Sequence, residues 1–296
     1  MKTITPGEVP FQEIHGILLG AIAPRPIAFA STVDGNGNPN LSPFSFFNLF
    51  GTNPPVVVFS PSRRGRNNTT KHTYENVKSV PEVVINLVDF PMVQQANLAS
   101  SEFPAGVNEF IKAGFTMLPS EVVKPFRVKE SPVQLECKVL QVIETGQGPS
   151  AGNLVIGEIL KIHVSETILD EQGKIDFLKT DWVGRMGGEW YVRASGDALF
   201  RVSKPPTDGP PIGIDGLPEE IRSSTVLTGN DLGRMGLIRE FPSEAEIKQA
   251  KEDKAYLQII TTHPDPVKRR EAVHRYAQIL IDRGAFAQAV AICLHH

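Results

Sequence analysis

Two stretches in the first quarter of the chain carry side chains suited to holding an anion. Ser60-Pro61-Ser62-Arg63-Arg64-Gly65-Arg66 supplies hydroxyls and guanidinium groups, and Thr70-Lys71-His72-Thr73 opens a short helical pattern over residues 70–78. The free N–H groups and positive dipole end of a helix start favour a phosphate-class anion, to which Lys and Arg add charge and Thr a hydroxyl donor. Arg64 taken alone reads as a residue of a solvated loop. Just upstream, Asn40-Leu41-Ser42-Pro43-Phe44-Ser45-Phe46-Phe47-Asn48 sets amide and hydroxyl groups among aromatic rings on one strand-like segment. That mixture offers flat apolar packing and hydrogen bonds together, which a planar heterocycle with a polar edge requires. Phe44, Phe46, Phe47 and Phe50 read equally well as core. Far downstream, Arg185-Met186-Gly187-Gly188 places a cation beside two residues that let a backbone approach a ligand closely. Trp182, Trp190 and Tyr191 flank it and read first as core or interface.

Other chemistries lack their signals. His15, His72, His163, His263 and His274 show no paired ligand spacing, and the acidic residues form no recognisable cluster, so no metal is expected. No GxGxxG follows a strand, and GxxxxGK[ST] and GxSxG do not occur. A net charge of −3 over 296 residues gives no whole-chain attraction for nucleic acid or anionic lipid. Cys137 and Cys293 are far apart and read as small buried hydrophobes. The start, MKTITPGEVPFQEIHG, does not read as a secretory signal, and a cytoplasmic location is expected.

The elements that must position these residues are mostly strands, predicted over residues 26–33, 41–49, 55–60, 82–88, 132–143 and 153–164. Asp34-Gly35-Asn36-Gly37 predicts a tight hairpin between the first two. The alternation slips at Val139-Leu140, which predicts a bulge. Helical patterns cover residues 70–78 and 92–100. Residues 204–242 lose periodicity and fill with Pro and Gly, predicting an arm or linker. Beyond it, 243–260 reads as one charged helix. Asp265-Pro266 starts another, whose apolar face is Val273, Tyr276, Ala277 and Leu280. Gly284 ends it before a last helix over 285–294.

Together Ala23-Pro24-Arg25-Pro26-Ile27-Ala28-Phe29-Ala30-Ser31-Thr32, the 40–48 segment, Asn53-Pro54-Pro55, Phe59-Ser60, Lys71-His72-Thr73 with Asn76, Ser131 to Cys137, and Arg185-Met186-Gly187-Gly188 with Tyr191 resemble the flavin reductase-like, FMN-binding split-barrel family, in order. The resemblance implies a mainly β fold, a split β-barrel over 1–203, with the arm at 204–242 and a helical extension at 243–296. It implies FMN as cofactor, its ring beside Ser31, Asn40, Ser42, Ser45 and Phe46. It assigns the phosphate to Ser60, Lys71 and Thr73, with one arginine of the Arg63 to Arg66 run, Arg63 taken first, as helper, and carries Arg185 over as a contact often made across a subunit interface. Relatives commonly have an acidic residue where His72 stands. The implied activity is an NAD(P)H-dependent flavin reductase, in a homodimer that passes reduced flavin to an acceptor or a partner monooxygenase. The alternative is a flavoredoxin-like electron carrier served by another redox protein, and a third reading makes the tail a docking module. The sequence does not choose between NADH and NADPH.

Overall fold

The structure, a computed structural model, describes residues 1–294. The chain falls into two compact units, Met1–Phe200 and Arg201–His296. The first opens with helix α1 (Phe11–Ala21), followed by strands β1 (Ala28–Val33), β2 (Pro39–Phe44), β3 (Phe47–Thr52) and β4 (Pro55–Phe59), then helix α2 (His72–Ser79) and strand β5 (Glu82–Leu87). Helices α3 (Val93–Leu98) and α4 (Glu109–Ala113) lead through the short strands β6 (Met117–Leu118) and β7 (Arg127–Val128) to long β8 (Val133–Glu144) and β9 (Asn153–Val164). A hairpin of β10 (Trp182–Arg185) and β11 (Tyr191–Ala194) completes the unit.

Seven strands form one antiparallel sheet in the order β2-β1-β5-β8-β9-β4-β3. Its two edges, β2 and β3, are consecutive in the chain and are separated by Ser45 and Phe46 alone. Three residue steps reach at most about 11 Å, so the sheet must curl until its edges meet at that bend. No ladder joins them among the described residues, and the barrel stays unclosed. Every residue of β1 is buried because both of its faces are covered. Ala28 and Ala30 face a core with Phe44, Phe59, Val83 and Ile85, while Phe29 packs with Leu41, Met92, Ala96 and Phe110 of the helical layer.

Local chemistry explains the joints. Asp34 closes the β1–β2 hairpin by accepting the N–H groups of Asn36 and Asn38 at 2.9 Å each, and Gly37 supplies the positive φ of +83°. The side chain of Asn38, which also donates to Asp34, holds that carboxyl below its usual range. The register of β8 against β9 shifts between Val139 and Gln141, the predicted bulge. The predicted strand over 41–49 is instead broken at Ser45-Phe46, where the chain passes from one sheet edge to the other. The expected mainly β chain is corrected too: about 31% is helix and 23% strand, since α1 and the short helices α5 and α6 add to the helices expected.

That second unit contains α5 (Glu219–Arg222), α6 (Gly229–Met235), α7 (Glu244–Lys251), α8 (Lys254–Thr262), α9 (Pro266–Asp282) and α10 (Phe286–Cys293). Asp265 caps α9, Pro266 fills its first position, and Gly284 follows its end at φ +79°. Val273, Ala277 and Leu280 are buried, with Tyr276 packed against the same core. Residues 204–242 are not a bare linker. Leu217, Ile221, Leu227 and Met235 from this segment are buried in one cluster with α9 and α10, and its prolines and glycines punctuate short helices such as α6, started by a Thr228–Asp231 capping box. The single helix expected over 243–260 is divided, because Asp253 caps a new start by accepting from Ala255 and Tyr256. Both cysteines are buried, and desolvation pushes each thiol up to about 12.

Candidate functional site

The seam where the two sheet edges meet opens into a cavity of about 670 Å³, within the usual range of ligand sites. Ser45 and Phe46 of the bend, Ser60, Arg63 and Lys71 of the cationic segments, and Arg185 of the hairpin all line it. Asn40, Ser42 and Thr73 line an adjoining crevice together with Lys71. Residues spread over 146 positions of sequence, Asn40 to Arg185, thus converge on one place. Phe44 is core, tilted against Phe59 at 5.6 Å, whereas Phe46 remains 44% exposed beside the cavity.

Ser31 does not join them. In the β1–β2 pairing Thr32 opposes Asn40 and Ala30 opposes Ser42. Side chains alternate along a strand, so Ser31 shares the opposite face with Leu41. Its Oγ is buried without a hydrogen-bond partner among the described residues.

The cationic end is built on the start of α2. Lys71 occupies the cap position without a side-chain cap, so the first-turn N–H groups have no side-chain acceptor there. Thr73 is buried, and its Oγ1 accepts from Asn40 Nδ2 at 3.0 Å, which leaves its hydroxyl proton available to donate. Ser60 accepts the Asn153 N–H at 3.1 Å and pairs with Ser62 at 3.1 Å, tying the loop to β9. Arg63 is committed elsewhere: its Nε donates to Asn68 Oδ1 at 2.7 Å and its Nη2 to the Asn68 carbonyl at 2.5 Å. Arg64, read from sequence as a solvated loop residue, lines both cavities with its side chain only 15% exposed. It donates to Thr69 Oγ1 at 3.0 Å and to the Thr70 carbonyl.

Positive charge here exceeds its local compensation. Burial first, then Arg64, lowers the Lys71 ammonium below its ordinary value. Burial, then Arg64 and Lys71, does the same to His72. Glu102 answers part of this charge, lying 3.4 Å from Arg64 and 3.1 Å from Arg66. Lys71 has no carboxylate within ion-pair distance among the described residues. An arriving anion would offset both the burial and the neighbouring cations that lower these two groups.

The opposite wall comes from two features the sequence reading did not single out. Helix α1 has no buried residue, yet Phe11, Ile14, Leu18 and Ile22 face the cavity. Arg25, 7% exposed, holds the end of that helix in place. Its Nη1 donates to the carbonyls of Leu19 at 2.7 Å and Ile22 at 2.5 Å, and its Nη2 to that of Met186 at 2.7 Å. Its guanidinium also lies 6.0 Å from the Phe46 ring centre. Burial, and then Arg185, lowers the pKa of this arginine. Gly187 sits so close to α1 that a Cβ there would meet the Gly20 Cα at 3.3 Å. Arg185 lies over the Tyr191 ring at 4.7 Å and donates to its hydroxyl and to the Gly188 carbonyl, the latter at 2.7 Å. Arg25 stands within the Ala23 to Thr32 stretch, and only its burial among carbonyls reveals its role.

Residues 20–179, just over half of the chain, match the family model described as the flavin reductase like domain. An uncharacterized protein of Aquifex aeolicus is 39% identical over 189 residues, which cover 64% of this chain and 94% of that one. The crystal structure of nitrilotriacetate monooxygenase component B from Bacillus cereus superposes with a TM-score of 0.63 at 30% identity, covering 68% of this chain and 98% of that chain. That of 2-nitrobenzoate 2-nitroreductase from Pseudomonas fluorescens gives 0.62 at 26%, covering 72% and 100%. With its curled antiparallel sheet and seam cavity, the chain belongs to the flavin reductase-like family, whose chemistry is flavin-related oxidoreduction.

Proposed function

We propose that the seam cavity holds FMN and that the protein is an NAD(P)H-dependent flavin oxidoreductase. The observation that carries this reading is the convergence, in one cavity, of an apolar wall (Phe46 and the inner face of α1) with an undercompensated cationic end at Arg64, Lys71 and the start of α2. The donor set fits a flavin mononucleotide. Lys71, Arg64 and the first-turn amides of α2 meet the terminal phosphate, and Thr73 adds a hydroxyl donor. Asn40 and Ser42 supply the polar groups between phosphate and ring, while Ser45 and Phe46 border the ring, with Arg25 fixing their bend. Ser31 has no place in this set, and Arg64 takes the helper role first given to Arg63. A terminal phosphate held this way favours FMN over FAD.

Bound flavin supplies the hydride chemistry itself, so the chain need provide no nucleophile, only orientation and electrostatics. Arg185, at the cavity edge, presents positive charge to a second anionic substrate. The apolar side chains of α1 exclude water from the ring face. Leu49 and Phe50 of β3 are exposed, Phe50 at 69%, and an apolar sheet edge of this kind supports a homodimer in which a second copy covers it. The Bacillus cereus neighbour is a component of a monooxygenase, which supports delivery of reduced flavin to a partner oxygenase.

Anaerobic titration tests the reading. Rapid bleaching of bound FMN by NADH or NADPH is expected. Bleaching by dithionite alone would make the protein an electron carrier instead.

A further inference from the structure

A second cleft, of about 450 Å³, lies between α3 and the β10–β11 hairpin. Arg185 lines both it and the seam cavity, so the two adjoin at that side chain. Its walls carry two flat stacks: Arg193 over Phe90 at 3.9 Å and Arg185 over Tyr191 at 4.7 Å. The carboxamides of Gln94 and Asn97, one helical turn apart on α3, also line it. Stacked aromatic and guanidinium planes beside carboxamides recognise a nucleobase, since the planes take its π face and an amide pairs both a donor and an acceptor on its edge.

Resting on the reductase reading, we propose that this cleft takes the adenosine half of the pyridine dinucleotide and selects NADH over NADPH. The purine stacks within the cleft against Gln94 and Asn97. The pyrophosphate passes Arg185, and the nicotinamide enters the seam cavity. The choice of nucleotide follows from the charges at the rim. A 2′-phosphate needs a free cation, but Arg193 is already held by both carboxylate oxygens of Asp181, at 2.6 and 2.8 Å. Glu189, by contrast, has no ion-pair partner among the described residues and lines the same cleft. A carboxylate there accepts hydrogen bonds from a ribose 2′-hydroxyl and repels a phosphate in its place.

The test uses the full-length, FMN-loaded protein, with AMP as the probe. Calorimetry should show AMP binding, and AMP should compete with NADH in turnover. Gln94→Ala with Asn97→Ala should weaken AMP binding and raise the KM for NADH about tenfold, the scale of two modest hydrogen bonds, while FMN affinity stays unchanged. Glu189→Arg should move the preference toward NADPH, and Glu189→Gln should reduce the preference for NADH. Normal bleaching by NADH without AMP binding, non-competitive AMP, or a native preference for NADPH would overturn the proposal and leave the reductase reading intact. AMP binding with bleaching by neither nucleotide would instead overturn the reductase reading and the dinucleotide assignment built on it.

Discussion

Arg63 and Arg64 are adjacent in a run that reads as uniformly cationic, yet the fold gives them different work. Asn68, itself at φ +56°, takes two donors of Arg63, while Arg64 faces the crevice with Lys71. Arg64→Ala should therefore weaken FMN roughly tenfold while leaving riboflavin binding unchanged, the loss of one charge-assisted contact. Arg63→Ala should show no such selectivity between the two ligands when both are followed by flavin fluorescence quenching. His72 makes a pH prediction. Its pKa in the folded protein is lowered, chiefly by burial and then by Arg64 and Lys71. Below the ordinary histidine value of about 6.5 the unfolded chain therefore binds more protons than the native one, and stability must fall as the pH drops through that window. A bound phosphate offsets the repulsion, so saturating FMN should flatten this loss, and His72→Asn should remove its own share of it. Urea midpoints between pH 7.5 and 5, with and without FMN, would check both statements; a loss of equal size in His72→Asn would assign it to other groups.

Among the elements, helix α1 depends on a single buried side chain. Arg25 ties its last carbonyls to the Met186 carbonyl, whereas Gly16 and Gly20 weaken the helix from within. Arg25→Ala should cost about 3 kcal/mol, because it strands carbonyl partners of a buried charge. Hydrogen exchange should then quicken across residues 11–21 before it quickens in β8 or β9. Unchanged protection of α1 would show that some other contact holds it. These elements also show what a sequence reveals. β9 was legible because its burial alternates over a long run, β8 because apolar and polar residues alternate in its sequence even though Gln134 and Glu136 are buried as well, and the Asp34 hairpin because its turn chemistry is local. α1 went unread although Phe11, Ile14 and Leu18 recur at helical spacing, because the helix is short, holds Gly16 and Gly20, and turns that stripe to the cavity with no residue fully buried. The break at Ser45-Phe46 was hidden because both flanking segments favour strand, and only the sheet order shows the chain crossing a seam. The same alternation that made the strands readable separates Ser31 from Asn40 and Ser42, a distinction that needs the register and not the motif. In the 204–242 segment, helices of four and seven residues are too short for periodicity to outweigh their flanking Pro and Gly.

At the scale of the whole molecule, the two units bury separate hydrophobic clusters, one formed entirely within residues 212–294 and two within residues 27–191. Units with their own cores unfold as their own cooperative steps. Calorimetry should resolve two transitions, and added FMN should raise only one of them, by linkage to the state that binds it. A single transition shifted as a whole would show that the two units unfold together. The central claim, that the seam cavity holds FMN by its phosphate, is tested most directly by titrating the full-length protein with FMN and with riboflavin, native and with Lys71→Ala and Thr73→Ala combined. The double variant should bind FMN about a hundredfold more weakly, the worth of two charge-assisted contacts, while riboflavin affinity stays where it was. Equal losses for both ligands, or none for FMN, would place the phosphate elsewhere and contradict the account.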